Sequence, residues 1–207
     1  MEKNRLEEVA AALRRRGFEV ACLATGAEAA ARVAELADDA RSVGFGGSMT
    51  IAALGLAETL AAAGKEVWRH GDPKWRPEEK MDVMRRELTC DLFLTSANAL
   101  TADGRLVNVD GNGNRVAASV FGPRRVVFVV GRNKIVDGGL DAALARIKRD
   151  ACPPNCRRLG RRTPCAETGV CADCSSPDRI CNVTVVMDRR PAKTDVRILL
   201  VDEDLGY

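Results

Sequence analysis

The sequence predicts an α/β protein: a mostly parallel sheet flanked by helices, with a small cysteine-rich segment inserted near its end. Three observations predict it. Apolar runs such as FEVACLA, DLFLT and RVVFVVG alternate with stretches of helical periodicity, the rhythm of a parallel sheet whose crossovers are helices. At 207 residues, with 46% hydrophobic and 29% charged residues, the chain suits one well-buried domain. Six of the eight cysteines crowd into residues 152–181 and interrupt the rhythm there.

The elements follow in order. Leu6, Val9, Ala10 and Leu13 recur at helical spacing, and Gly17 stops that helix. FEVACLA is a strand. Thr25 and Glu28 form a capping box for a helix to about Leu36. A strand over Ser42–Phe45 leads into GFGGSMT, then a helix from about Met49 to Ala63 that Gly64 closes. Only Glu58 and Thr59 are polar between Ile51 and Ala63, so this helix is expected in the core. After a short strand over Glu66–Trp68, Pro77 opens a helix to about Thr89. DLFLT, RLVNV and RVVFVVG are strands, with Asp103-Gly104 as a hairpin turn. Leu140, Leu144 and Ile147 mark a helix to about Arg149. The cysteine segment reads as a loop-built unit, and NVTVVMD and DVRILLVDE as two closing strands.

Composition excludes several classes. A net charge of +3 and 4% aromatic residues give neither the basic patch nor the stacking platform of a nucleic-acid binder. No run of about 18 apolar residues exists, so no membrane span is expected. MEKNRLEEVAAALRRRGF is amphipathic rather than a secretory signal, and a cytoplasmic location is expected.

GFGGSMT is the first candidate site. A dinucleotide fingerprint needs glycine at position 49, where Met49 stands, and a Walker loop needs a lysine that is missing. What remains is strand, glycine turn, helix. Gly46 and Gly47 permit close backbone approach, and Ser48 and Thr50 add hydroxyls, a pattern suited to an anion. The plain alternative is a tight turn with Ser48 as N-cap. The second candidate is the polar stretch of residues 95–115. Asp110 to Asn114 fails as a calcium loop, because Arg115 and Phe121 occupy the positions of the required Gly and Glu. Asn98, Asp110, Asn112, Asn114 and Arg115 are instead expected as ligand contacts at the carboxyl edge of the sheet, with solvated turns as the alternative. His70 is the only histidine, which rules out a multi-histidine metal site.

The third candidate is the cysteine segment. Cys165, Cys171, Cys174 and Cys181 supply four sulfurs, with Cys171 and Cys174 as a C-x-x-C pair. Such a set suits zinc or a 4Fe-4S cluster, the latter slightly preferred. Arg157, Arg158, Arg161, Arg162 and Arg179 would offset the thiolate charge, and Cys152 and Cys156 are alternative ligands. Reduced structural thiols or a redox C-x-x-C pair are the other readings.

GFGGSMT, TSANALTADGRLVNVDGNGNRVAA, GPRRVVFVVGRNKIV and TPCAETGVCADCSSPDRICN together resemble the LUD-domain family of lactate-utilisation proteins. The likeness runs over nearly the whole chain, implying a single LUD-type domain over residues 1–207 with residues 152–181 as a segment within it. It also implies a fold related to ribose-phosphate isomerases and CoA-transferases, in which the loop of Gly46, Gly47, Ser48 and Thr50 lies beside phosphate or cofactor ligands. Asp103 and Asp110 match a region where sugar-phosphate isomerases carry acidic residues. Some members act with iron–sulfur partner proteins in oxidising L-lactate, and those members commonly lack the cysteine tail. In the cysteine-bearing branch Cys165, Cys171, Cys174 and Cys181 are the expected ligands, and small residues are expected where Cys152 and Cys156 stand. Three readings therefore stand. One is a subunit or accessory of a small-acid oxidation system, with an anionic small molecule, iron–sulfur proteins and a second copy of the chain as expected partners. Another is a stand-alone isomerase or transferase on a phosphorylated or CoA-linked metabolite, with structural zinc. The last is a metal-dependent assembly module without turnover.

Overall fold

The computed structural model describes residues 2–207. Six parallel strands form the main sheet: β1 (Glu19–Leu23), β2 (Ser42–Phe45), β3 (Glu66–Trp68), β4 (Leu92–Thr95), β7 (Arg125–Gly131) and β10 (Asp195–Val201). Their spatial order is β1-β10-β7-β4-β2-β3. All five pairings are parallel. Every carboxyl end therefore emerges at one edge, where open α/β sheets bind ligands.

Side-chain alternation divides two cores. Phe93, Val126, Phe128, Val130, Ile198 and Leu200 face helix α1 (Glu2–Arg15) and its neighbours. Leu92, Leu94, Val127, Val129 and Leu199 face α2 (Gly26–Leu36) on the opposite side. Phe93 and Phe128 are completely buried, and burial on this scale, about 25 cal/mol per Å² of apolar surface, holds the layers together. At the start of α2 the Thr25 hydroxyl accepts from the Glu28 amide at 3.2 Å, while the Glu28 carboxylate accepts from the Ala24 amide at 2.8 Å. The carboxylate thus reaches one residue beyond the reciprocal pairing of a standard capping box.

The expected helix of residues 49–63 is instead two: α3 (Met49–Ala53) and α4 (Leu56–Ala62). Gly55 adopts φ 62° between them, a left-handed turn open to glycine at little cost. The chain turns there, which leaves Ala52 and Ala53 exposed while Ile51, Leu56 and Leu60 stay buried. The helix expected from Pro77 is shorter, α5 over Lys80–Glu87.

The single sheet of the sequence reading is also corrected. A second sheet orders β8 (Ile135–Val136), β5 (Ala99–Thr101), β6 (Leu106–Asp110) and β9 (Val183–Met187). Its pairings are antiparallel except β5 with β8. One of its faces joins the α1 core through Leu100, Leu106 and Met187. The other, through Ala99 and Val107, packs under α7 (Leu140–Arg146) and the turns that follow it. Helix α6 (Asn114–Val120) closes the β6 end.

The cysteine segment is not purely loop. A π-helical turn (Ile147–Ala151) continues α7 into α8 (Cys152–Arg158), and α9 (Pro164–Thr168) follows. No helix among the described residues is long and apolar enough to cross a membrane.

A candidate anion site and a cysteine basin

Strands β2, β4 and β7 are neighbours, so the loops after them meet. The Gly46 amide extends the β2–β4 ladder by donating to the Leu94 carbonyl at 3.0 Å. A Cβ at Gly46 would lie 2.9 Å from Arg115 Cγ and 3.0 Å from both Phe93 Cζ and Thr95 Oγ1. Only glycine lets the loop pass this closely. Gly47 is exposed, and nothing lies within 4 Å of a Cβ placed there. Ser48 caps α3 through its hydroxyl, which accepts from the Ile51 amide at 3.3 Å. With only five residues, α3 brings a weak dipole, so the charge of this site comes from side chains.

Those side chains are Lys134, Arg115 and Arg146, which are 3%, 8% and 4% exposed. Lys134 follows β7 in a short 3₁₀ turn (Arg132–Lys134). Its ammonium donates to Thr50 Oγ1 at 2.6 Å and Ser96 Oγ at 2.9 Å. Arg115 donates to the Ser96 and Val109 carbonyls and to the side-chain oxygens of Asn108 and Asn98. Arg146 donates to the carbonyls of Asn98 and Asn133. The three cations thus converge on residues 96–98, and no ion pair joins any of them to a carboxylate among the described residues. Burial, reinforced by Arg146 and Arg115, pulls the Lys134 pKa down to about 7. Burial also lowers that of Arg115, with Asp110 opposing, and that of Arg146, with Asp150 opposing. Burying charge without a direct ion pair is costly, and here neutral oxygens and the more distant Asp110 and Asp150 offset only part of that cost.

The residues named from sequence divide accordingly. Gly46, Gly47, Ser48, Thr50, Asn98 and Arg115 belong to this edge, Asn98 and Arg115 as framework through the bonds above. Asp110 caps the entry to α6, its carboxylate accepting from the Gly111 and Val116 amides at 2.9 and 3.1 Å. Asn112 is exposed, and Asn114 Nδ2 is buried without a hydrogen-bond partner. Asp103 sits at the far end of the β5–β6 hairpin, roughly 10 Å of strand away by the rise per residue. There its carboxylate accepts from Thr101 and pairs with Arg16 at 2.8 Å, and these bonds hold its pKa low. His70 bonds the buried Glu87 at 2.8 Å beside β3. Sequence reasoning missed Lys134, Arg146, Asn108 and Ser96. The available signal was the lysine just past the carboxyl end of the apolar run RVVFVVG.

The last residues close over the edge. The Thr50 hydroxyl donates to the Leu205 carbonyl at 2.8 Å, and Asn133 brackets Leu205 and Gly206. The Tyr207 hydroxyl bonds Asn155 and Arg158 on α8. The tail therefore ties the glycine loop to the cysteine segment.

All eight cysteines are free thiols. Cys22 and Cys90 pack with the α1 core. The other six gather outside the second sheet. A cavity there is walled by Cys152, Cys171 and Cys181, by Lys148, Asp173 and Arg179, and by apolar Val109, Leu144 and Ile147. Cys152 is pushed up to about 12, first by burial and then by Cys181, Cys171, Cys156 and Cys165, so these thiols lie within electrostatic reach of one another. Cys165 contacts the Thr163 hydroxyl at 3.4 Å. Among the described residues, no three His, Cys, Asp or Glu side chains are close enough to hold a metal ion directly. Three of the thiols thus line one cavity together with two cations, a carboxylate and an apolar wall.

Fold and site together define an α/β protein with a buried cluster of cations at the carboxyl edge of a parallel sheet. The LUD-domain family model matches residues 6–201. The chain belongs to the LUD-domain family, and at that level it is a lactate-utilisation-type protein. A crystal structure of a DUF162 family protein from Deinococcus radiodurans is similar in fold, with a TM-score of 0.57 and 15% identity over 97% of this chain and 98% of that one. No curated protein matches the chain.

Proposed function

We propose that the chain serves a small organic acid (L-lactate) oxidation system as a subunit or accessory, binding an anionic small molecule beside Gly46, Gly47 and Ser48. The observation that carries this reading is the convergence of Lys134, Arg115 and Arg146, all buried and none ion-paired, behind that loop. A carboxylate or phosphate there would face Lys134 and the exposed Gly47 backbone. Cys165, Cys171, Cys174 and Cys181, with Cys152 and Cys156 nearby, would hold an iron–sulfur cluster, and such a cluster supplies one-electron transfer. Iron–sulfur proteins and a second copy of the chain are the expected macromolecular partners, in the cytoplasm.

Thermal unfolding with L-lactate, pyruvate and inorganic phosphate tests the anion site. A bound ligand stabilises by about 2.7 kcal/mol at a hundredfold excess over Kd. At least one anion is expected to raise Tm in the wild type and not in Lys134→Gln. Equal Tm for both proteins with every anion would remove the reading.

A second reading follows from the Lys134 amine, which burial brings near neutrality. An amine poised near pH 7 suits general acid–base work, as a stand-alone isomerase or transferase acting on a phosphorylated or CoA-linked metabolite would need. Stabilisation by sugar phosphates or CoA esters, with none by L-lactate or pyruvate, would favour it.

A further inference from the structure

Helix α8 ends in a tight reversal that sets two buried thiols side by side. The Arg161 amide donates to the Cys156 carbonyl at 2.9 Å and the Gly160 amide to the Arg157 carbonyl at 3.0 Å, with Gly160 at φ 62°. This is the Schellman closure, in which a left-handed glycine satisfies the last carbonyls of a helix. Thr163 and Pro164 then start α9. The Arg157 guanidinium ties the two helices together by donating to the Ala166 carbonyl at 2.7 Å. Cys156 and Cys165 each precede one end of that tie. They are 2% and 7% exposed, and their thiols hydrogen-bond each other.

Thr163 completes the arrangement. A threonine that starts a helix usually turns its hydroxyl on an amide of the first turn, and Thr163 makes no such bond. Its buried hydroxyl lies 3.4 Å from Cys165 Sγ and bonds the Cys156 thiol as well. Burial raises the Cys156 pKa, and the Thr163 hydroxyl opposes it by favouring the thiolate, the nucleophilic form of cysteine. Neither sulfur lines the cavity of Cys152, Cys171 and Cys181.

We propose that Cys156 and Cys165 are a redox pair that a hydroperoxide closes to an intrachain disulfide. One thiolate attacks hydrogen peroxide, the O–O bond breaks, and a sulfenic acid forms while the proton of that thiol leaves in the first water. The second sulfur attacks the sulfenic sulfur, the S–O bond breaks, and the second proton leaves in another water. Two thiols thus give up two electrons, and one peroxide becomes two waters. The closed pair removes Cys165 from metal binding and so bars loading of the cysteine segment. That consequence rests on the reading of the segment as an iron–sulfur site, and the disulfide itself does not.

The test treats the full metal-free chain with hydrogen peroxide and maps its disulfides by mass spectrometry without reduction. Trypsin cuts after Arg157, Arg158, Arg161 and Arg162, so Cys156 and Cys165 leave on separate peptides unless they are joined. Loss of two thiols per chain is expected, with a Cys156–Cys165 link that dithiothreitol reverses. Either cysteine left free, or joined to another partner, overturns the proposal. In Cys156→Ala, Cys165 is expected to stay open to alkylation after peroxide, and equal blocking there also overturns it. Because the mapping uses the wild type, it stands even if the variant fails to fold. Iron uptake from ferrous iron and sulfide, measured before and after peroxide, separates the two readings. A reduced chain that takes up no iron removes the cluster reading and leaves a mapped disulfide standing. Uptake undiminished in the chain that carries the disulfide overturns the bar to loading.

Discussion

The Lys134 ammonium donates to Thr50 Oγ1 at 2.6 Å across 84 residues of sequence. The contact joins the loop after β7 to the first turn after the glycine loop. Thr50 passes the connection on, its own hydroxyl donating to the Leu205 carbonyl. One hydroxyl thus holds the cation, the glycine loop and the tail together.

Thr50→Val keeps the shape and removes the hydroxyl. It leaves the Lys134 ammonium one acceptor short and frees the Leu205 carbonyl. A loss of about 1–3 kcal/mol is expected in urea unfolding, the usual cost of an unsatisfied buried group. Hydrogen exchange at Gly206 and Tyr207 is expected to quicken in the same variant. Unchanged exchange would mean that Asn133 and the Tyr207 bonds to α8 hold the tail without Thr50.

Lys134 makes stability depend on pH. Its folded pKa, about 7, lies below its ordinary value of 10.5. Between those values the unfolded chain holds a proton that the folded chain has released, so unfolding free energy rises with pH across that window. Below about pH 7 the lysine is charged in both states and the gain is gone. Lys134→Met is expected to flatten the rise, as read by urea midpoints from pH 6 to pH 10. Anion affinity has the opposite trend. If it needs the ammonium, it weakens by up to about tenfold per pH unit above the folded pKa.

Gly46 and Gly47 separate packing from binding. In Gly46→Ala the new methyl meets Arg115, Phe93 and Thr95 at 2.9–3.0 Å. Overpacking of this kind costs about 1–3 kcal/mol. Gly47→Ala meets nothing, so its Tm is expected to match the wild type while anion binding weakens. Wild-type affinity in Gly47→Ala would place the anion away from this loop.

Metal removal reports on the cysteine basin. Cys171 lies on the cavity wall and belongs to every ligand set considered above. Cys171→Ser is expected to abolish stoichiometric metal in anaerobically purified protein, along with any brown colour and absorbance near ~400 nm from iron–sulfur ligation. Retention of wild-type metal would exclude this thiol as a ligand.

Much of the fold was legible in the sequence. Strand–helix alternation identified all six strands of the main sheet, because β-branched runs and helical periodicity are local signals. The glycine loop and the crowding of cysteines were equally local. Gly55 was not legible as a break, since a glycine in an alanine-rich run also fits a continuous helix. The second sheet was hidden because Ala99–Thr101 is a three-residue strand inside a polar stretch.

By itself, the sequence determined the alternation that requires a parallel sheet, the glycine loop between strand and helix, and the crowding of six cysteines into residues 152–181. Tertiary structure alone decided which cations meet. Lys134, Arg115 and Arg146 are not neighbours in sequence: parallel pairing sets Lys134, after β7, beside residues 96–98, after β4, and α6 and α7 bring Arg115 and Arg146 to the same residues. Strand order in space is set by how whole layers bury their apolar faces, and no local stretch of sequence encodes it.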